Sequence, residues 1–145
     1  MDFVLNGSDM VPHSLKDYIG KKVILYFYPK DNTPGCTNEA LAFRDNKEQL
    51  ENYNAVIIGI SRDSVEAHLK FINKYSLNFL LLSDIEEKAC NYFEVLKEKN
   101  MYGKKSIGIE RSTFIIDEAG NIQKEFRRVK VEGHVEAILN YLKEI

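Results

Sequence analysis

The chain has 145 residues, 44% hydrophobic and 29% charged, with a formal net charge of −2. That length suits a single domain, residues 1–145, with a full core of its own, and the charge balance gives no reason to expect nucleic acid or a membrane surface as a partner. The N-terminal stretch MDFVLNGSDM has neither a basic nor an apolar leader region, no apolar run reaches the ~20 residues of a membrane span, and two cysteines make no disulfide framework. A reducing, cytoplasmic setting is expected.

In chain order, the first strong signal is the apolar run Val23–Tyr28, which reads as a buried strand. A Pro/Gly/Asn loop follows, and a helical pattern runs from Cys36 to Leu50. Ala55–Ile60 is a second strand. Val65, Leu69, Ile72 and Tyr75 then fall at helical spacing, with Asp63 or Ser64 as cap. Phe79–Leu82 is a third strand, Ile85–Leu96 a helix capped by Asp84, and Thr113–Ile116 a fourth strand. A turn cluster, Asp117-Glu118-Ala119-Gly120-Asn121, leads into Ile122–Val129, whose mixture of charges and apolar residues suits an exposed edge strand. Val135, Ile138, Leu139 and Leu142 define a last helix, with Gly133 before it. The alternation predicts an α/β fold: a central mixed sheet with helices on both faces and an antiparallel hairpin near the end.

Cys36 stands where an α/β sheet usually places chemistry, just past the carboxyl end of a strand. A free cysteine is most often a small buried hydrophobe. Here Pro34 and Gly35 start the helix, Thr33 puts a hydroxyl three residues ahead of the sulfur, and the polar neighbours argue against a sealed thiol. Other constellations fail. His13, His68 and His134 are scattered and read as surface or cap residues, so no metal site is expected. Lys97, Lys99, Lys104 and Lys105 read as a solvated face. Without a Cys-x-x-Cys pair, an ordinary dithiol oxidoreductase is disfavoured.

The pattern Pro29-x-x-x-Thr33-x-x-Cys36, within FYPKDNTPGCTNEA and followed by Phe43-Arg44-Asp45, resembles the active-site motif of the peroxiredoxins. The likeness is to the PrxQ group, also called bacterioferritin comigratory proteins, and it continues through LLSDIEEKAC and YGKKSIGIERSTFIID. The resemblance implies a thioredoxin-like fold and a thiol peroxidase that reduces hydrogen peroxide and organic hydroperoxides. Cys36 would be the peroxidatic nucleophile, oxidised to a sulfenic acid. Thr33 would hydrogen-bond thiolate and peroxide, and Arg111 would stabilise both the thiolate and the developing charge. Pro29 would shield the sulfur, and Glu39 would orient the arginine. Arg44 reads as structural, beside Asp45. An ordinary thiol of pKa ~8.5 is only about 3% thiolate at pH 7. A helix N-terminus supplies only ~0.3–1 kcal/mol toward the charged form, so a cation is needed as well. No metal, haem or flavin is implied. An external thiol, thioredoxin or similar, would be the reductant, and the chain would be a monomer or weak dimer.

The chain departs from the family at the resolving cysteine. The usual position, five residues after the peroxidatic cysteine, is Leu41, and another position used in the group is Ile72. Only Cys90 remains as a possible resolving cysteine, and on the wheel of the expected helix it lies in line with Glu86 and Glu94, on an exposed face. A one-cysteine cycle is therefore favoured. The alternatives are a thiol–disulfide oxidoreductase, or a non-catalytic redox sensor on the same fold. Met1-Asp2-Phe3 stands near where the family's first strand would end.

Overall fold

The computed structural model describes residues 3–145, with only the backbone of Met101, so the expectation for Met1 and Asp2 lies outside the described residues. The strands are β1 (Leu5–Gly7), β2 (Pro12–His13), β3 (Lys22–Phe27), β4 (Ala55–Ser61), β5 (Leu80–Ser83), β6 (Leu96–Met101), β7 (Lys104–Ile109), β8 (Ser112–Ile116) and β9 (Ile122–Phe126). The helices are α1 (Pro34–Asp45), α2 (Lys47–Glu51), α3 (Val65–Tyr75), α4 (Lys88–Tyr92) and α5 (His134–Glu144). Seven strands form one sheet in the order β2-β1-β5-β4-β3-β8-β9. Strands β3, β4 and β5 run parallel, while β1, β8 and β9 pair antiparallel with their neighbours.

Strand β3 is central because nearly every residue in it is apolar and buried, as a strand covered on both faces requires. Ile24, Tyr26 and Tyr28 face the core formed with Ala40 and Phe43 of α1, Phe71 of α3 and Ile138 of α5. Val23, Leu25 and Phe27 face the opposite core, with Ala89 and Cys90 of α4 and Phe93 behind it. The mixed sheet with helices on both faces is as expected. Tyr26 is seated by a neighbour: a Cβ on Gly59 of β4 would come within 2.9 Å of its ring and 2.7 Å of Leu81. Only glycine leaves that space. No helix among the described residues is long and apolar enough to cross a membrane.

Several boundaries differ from expectation. The first helix begins at Pro34, whose fixed φ suits the first turn, and it is not continuous to Leu50. Asn46 breaks it with φ −110° and ψ 10° while its side chain donates to the Ala42 carbonyl at 2.8 Å, and α2 restarts beyond. Ser64, rather than Asp63, caps α3, accepting from the Ala67 N–H at 3.1 Å. The helix expected over Ile85–Leu96 shrinks to Lys88–Tyr92. Asp84 does accept from the N–H groups of Ala89 and Cys90, but Glu87 holds a left-handed φ of 61° and stops the helix from starting earlier. Leu96 then opens the β6–β7 hairpin, which the sequence reading did not anticipate. Its two-residue turn, Tyr102-Gly103, has positive φ at both positions, as a type I′ hairpin demands. The short pair β1–β2 was also unanticipated, whereas β9 is the sheet edge foreseen, ending at Phe126.

Candidate active site

Topology brings the site together. Strand β8 pairs antiparallel with β3, with Ser112 opposite Phe27, so the residue just before β8 lies beside the exit of β3. That residue is Arg111. The chain leaving β3 turns through residues 29–33 and enters α1, where Cys36 is the third helical residue. The early N–H groups of a helix have no intrahelical partner, and the positive end of the dipole favours an anion there.

The Arg111 guanidinium spans two α1 side chains. Its Nη1 donates to Glu39 Oε1 at 2.7 Å, and its Nη2 approaches Cys36 Sγ at 3.5 Å. Gly35 leaves room for this approach: a Cβ there would sit 3.2 Å from Arg111 Nη2, close enough to shift the guanidinium by a few tenths of an ångström. Glu39 is 1% exposed, and its second oxygen has no partner among the described residues. Burial raises its carboxyl to about 7, against the opposing charge and hydrogen bond of Arg111. Burial pulls the other way on Arg111, but the charges of Glu39 and Cys36 outweigh it and hold the guanidinium above its ordinary value. Nearby, the Tyr26 hydroxyl is buried and without a hydrogen-bond partner among the described residues, its proton held by burial first and then by the charges of Glu39 and Cys36.

Glu39 makes a stability prediction. Its carboxyl titrates at about 7 in the fold against 4.5 ordinarily. The protonated acid therefore favours the folded chain, and this contribution, complete below 4.5, is lost as pH rises through 7. Glu39→Gln removes that dependence. Between pH 4 and pH 8 its unfolding free energy is expected to gain on wild type by roughly 2–3 kcal/mol. Denaturant titrations at both pH values check this, and parallel pH profiles for the two proteins would contradict it.

The structure brings Cys36, Glu39 and Arg111 into contact. Thr33 is the N-cap residue of α1, but its hydroxyl donates to the Lys30 carbonyl at 2.9 Å rather than capping the helix. Pro29 is half-buried at the start of the loop. Cys36 is only 2% exposed, so the thiol that polar neighbours suggested would stay open lies almost wholly inside. Cys90 is likewise buried, not exposed, because the long helix behind the wheel argument does not form. It sits in the core on the other face of the sheet from Cys36. Burial, then the Asp84 hydrogen bond and charge, push its thiol far above the ordinary range. Both cysteines are free. Arg44 pairs with Asp45 at 2.9 Å and donates to the Tyr75 carbonyl at 2.7 Å, tying α1 to α3.

The histidines correct a second expectation. His13 is part-buried, bonded to Asp9 and Tyr18, but His68 and His134 are buried. His134 shares a 2.7 Å hydrogen bond with Thr113, and burial together with the Arg111 charge lowers it to about 4. His68 meets Asp31 from the loop before Cys36. Asp31 stands between Pro29 and Thr33, and His68 falls on the apolar stripe of its helix. Both features are legible in the sequence.

The AhpC/TSA family matches residues 1–125. Peroxiredoxin Bcp of Bacillus subtilis is 51% identical over 144 residues, covering 99% of this chain and 92% of the relative. A putative peroxiredoxin bcp of Coxiella burnetii is 54% identical over 129 residues, covering 89% and 85%. Among solved structures, Xanthomonas campestris peroxiredoxin Q superposes with a TM-score of 0.95 at 45% identity, covering 99% of this chain and 90% of its own. The fold is thus thioredoxin-like, as the resemblance implied. With a guanidinium bridging a helix carboxylate and the sulfur of Cys36, and with relatives this similar along almost its whole length, the chain belongs to the AhpC/TSA family as a peroxiredoxin of the Bcp/PrxQ group, an oxidoreductase that acts as a peroxidase.

Proposed function

We propose that Cys36 is the peroxidatic nucleophile, reducing hydrogen peroxide and organic hydroperoxides in a one-cysteine cycle. The carrying observation is the 3.5 Å approach of Arg111 Nη2 to Sγ. The Cys36 thiolate attacks the nearer peroxide oxygen in line with the O–O bond. That bond breaks, sulfur becomes a sulfenic acid, and the departing hydroxide or alkoxide takes up a proton. Arg111 holds positive charge beside both the thiolate and the oxygen that gains charge, without reorganising. Thr33 gives its hydrogen to Lys30, which leaves its oxygen free to accept from an incoming hydroperoxide. Pro29 limits water near the sulfur, and Glu39 aims the guanidinium. An organic hydroperoxide fits the same reading, and a solved relative is described in terms of the alkyl peroxide reduction activity of the Xanthomonas campestris bacterioferritin comigratory protein.

An external thiol such as thioredoxin then reduces the sulfenic acid. What favours one cysteine is the position of Cys90, buried across the sheet with a thiol that resists ionisation. Two free thiols suit a reducing compartment, for which we propose the cytoplasm. Intact mass after a brief near-equimolar peroxide pulse tests the cycle. Wild type and Cys90→Ser are both expected to gain one oxygen, trapped at Cys36 by a sulfenic-acid reagent. Loss of two hydrogens in wild type alone would make Cys90 the resolving partner, and an unchanged mass would remove the Cys36 reading.

A further inference from the structure

The loop that carries Pro29 and Thr33 to Cys36 is fastened to α3 through a buried pair outside the site just described. Asp31 and His68 have side chains 5% and 0% exposed. His68 Nε2 lies 2.9 Å from the Leu82 carbonyl, and Nδ1 lies 2.6 Å from Asp31 Oδ2. A carbonyl has no hydrogen to give, so Nε2 is the N–H donor to Leu82. The short Nδ1–Oδ2 contact then needs a proton of its own. Tyr28 does not supply it, because its hydroxyl donates to the other oxygen, Oδ1, at 2.6 Å. Asp31 and His68 therefore hold one proton between them. Neighbouring residues strengthen the fastening. The Asp31 N–H donates to Asp63 Oδ2 at 2.8 Å, and Asn32 Oδ1 accepts from the Tyr75 hydroxyl at 3.0 Å. Ser61 holds the Asp63 carboxylate from β4 at 2.6 Å. The Asp31, Asp63 and His68 ligand atoms lie within 4.8 Å of one another, yet these bonds already occupy them.

We propose that His68 is a positioning residue for peroxide reduction: the proton it shares with Asp31 fixes the 29–33 loop, and so sets Pro29 and Thr33 beside the Cys36 sulfur. This rests on Cys36 being the peroxidatic residue. His68→Gln can reach Leu82 or Asp31 but not bridge them, and Asp31→Leu loses the bridge outright. Asp31→Asn keeps it in another form, accepting from Tyr28 through its oxygen and donating its amide hydrogen to Nδ1 of a neutral His68.

The test measures the second-order rate constant of Cys36 with hydrogen peroxide in chains first shown to be folded. His68→Gln and Asp31→Leu are expected to lose roughly 10–100-fold, as a displaced reacting group does, and Asp31→Asn to recover most of that loss. Proton NMR of wild type should show a strongly deshielded, slowly exchanging proton in the Nδ1–Oδ2 bond, absent from Asp31→Asn. A folded His68→Gln that reacts at the wild-type rate overturns the positioning role, as does an Asp31→Asn as slow as Asp31→Leu. Absence of the deshielded proton in wild type overturns the shared proton. Should wild-type Cys36 itself fail to react, the Cys36 reading falls and this inference with it, an outcome the wild-type rate alone identifies.

Discussion

Cys36→Ser is expected to abolish peroxide reduction, with a loss on the order of 10⁴-fold or more. A serine hydroxyl fits the same space, so the fold should persist. It does not ionise near neutral pH, however, and oxygen cannot take the place of sulfur in cleaving the O–O bond. The second thiol offers no rescue, because Cys90 is 0% exposed and its thiol is pushed far up by burial and by Asp84. The check is peroxide consumption at saturating external thiol, with intact mass after the peroxide pulse as a parallel readout. Residual turnover above a few per cent of wild type would move the nucleophile elsewhere and dismiss the reading of this site.

Arg111→Met carries the second-largest effect, an expected fall of about 10²–10³ in the rate of Cys36 with hydrogen peroxide, the range for removing one donor aimed at developing charge. Methionine fills similar length but supplies neither hydrogen bond. The sulfur loses a cation at 3.5 Å, and Glu39 loses its partner at 2.7 Å. Arg111→Lys separates the two roles. A single ammonium can serve the carboxylate or the sulfur but lacks the planar fork that reaches both. It should therefore keep most of the stability and recover only part of the rate. Arg111→Met also leaves Glu39 buried and unpaired, a state costing about 3–5 kcal/mol when the group stays charged. Since the carboxyl can instead hold its proton, the stability deficit should widen as pH rises above neutrality. Iodoacetamide labelling of Cys36, peroxide stopped-flow and denaturant titrations measure these effects together. An alkylation rate identical to wild type would rule out a role for Arg111 in ionising the thiol.

How far the sequence was readable depended on the range of the forces involved. The strand at Val23–Tyr28 and the helix start at Pro34-Gly35 were legible because composition and backbone preference act locally. The α4 region is misread for the opposite reason: Asp84 accepts from first-turn N–H groups, but the left-handed Glu87 takes the N-cap position and shortens the helix, and with it goes the predicted exposure of Cys90. The β6–β7 hairpin carries polar, lysine-rich strands without alternation, and its one local clue was the Tyr102-Gly103 turn. Arg111 could be placed only by family resemblance, because its position follows from β3 pairing with β8. His68 falls on the apolar stripe of its helix, but its partner Asp31 stands 37 residues earlier, and no local pattern joins the two.

The antiparallel seam between β3 and β8 also sets an order of events in the life of the chain. Cys36 and the guanidinium that touches it are 75 residues apart. At synthesis rates of 5–20 residues per second, a growing chain holds the thiol for roughly 4–15 s before Arg111 is even made. Throughout that interval the cysteine lacks that cation. Docking of β8 against β3 is what brings the guanidinium to the sulfur, with β9 and α5 still to be added to the fold. If Arg111 activates Cys36 as proposed, a ribosome-bound chain halted before Arg111 should label no faster than a model thiol, and the jump in labelling on release would time the pairing of β8 with β3.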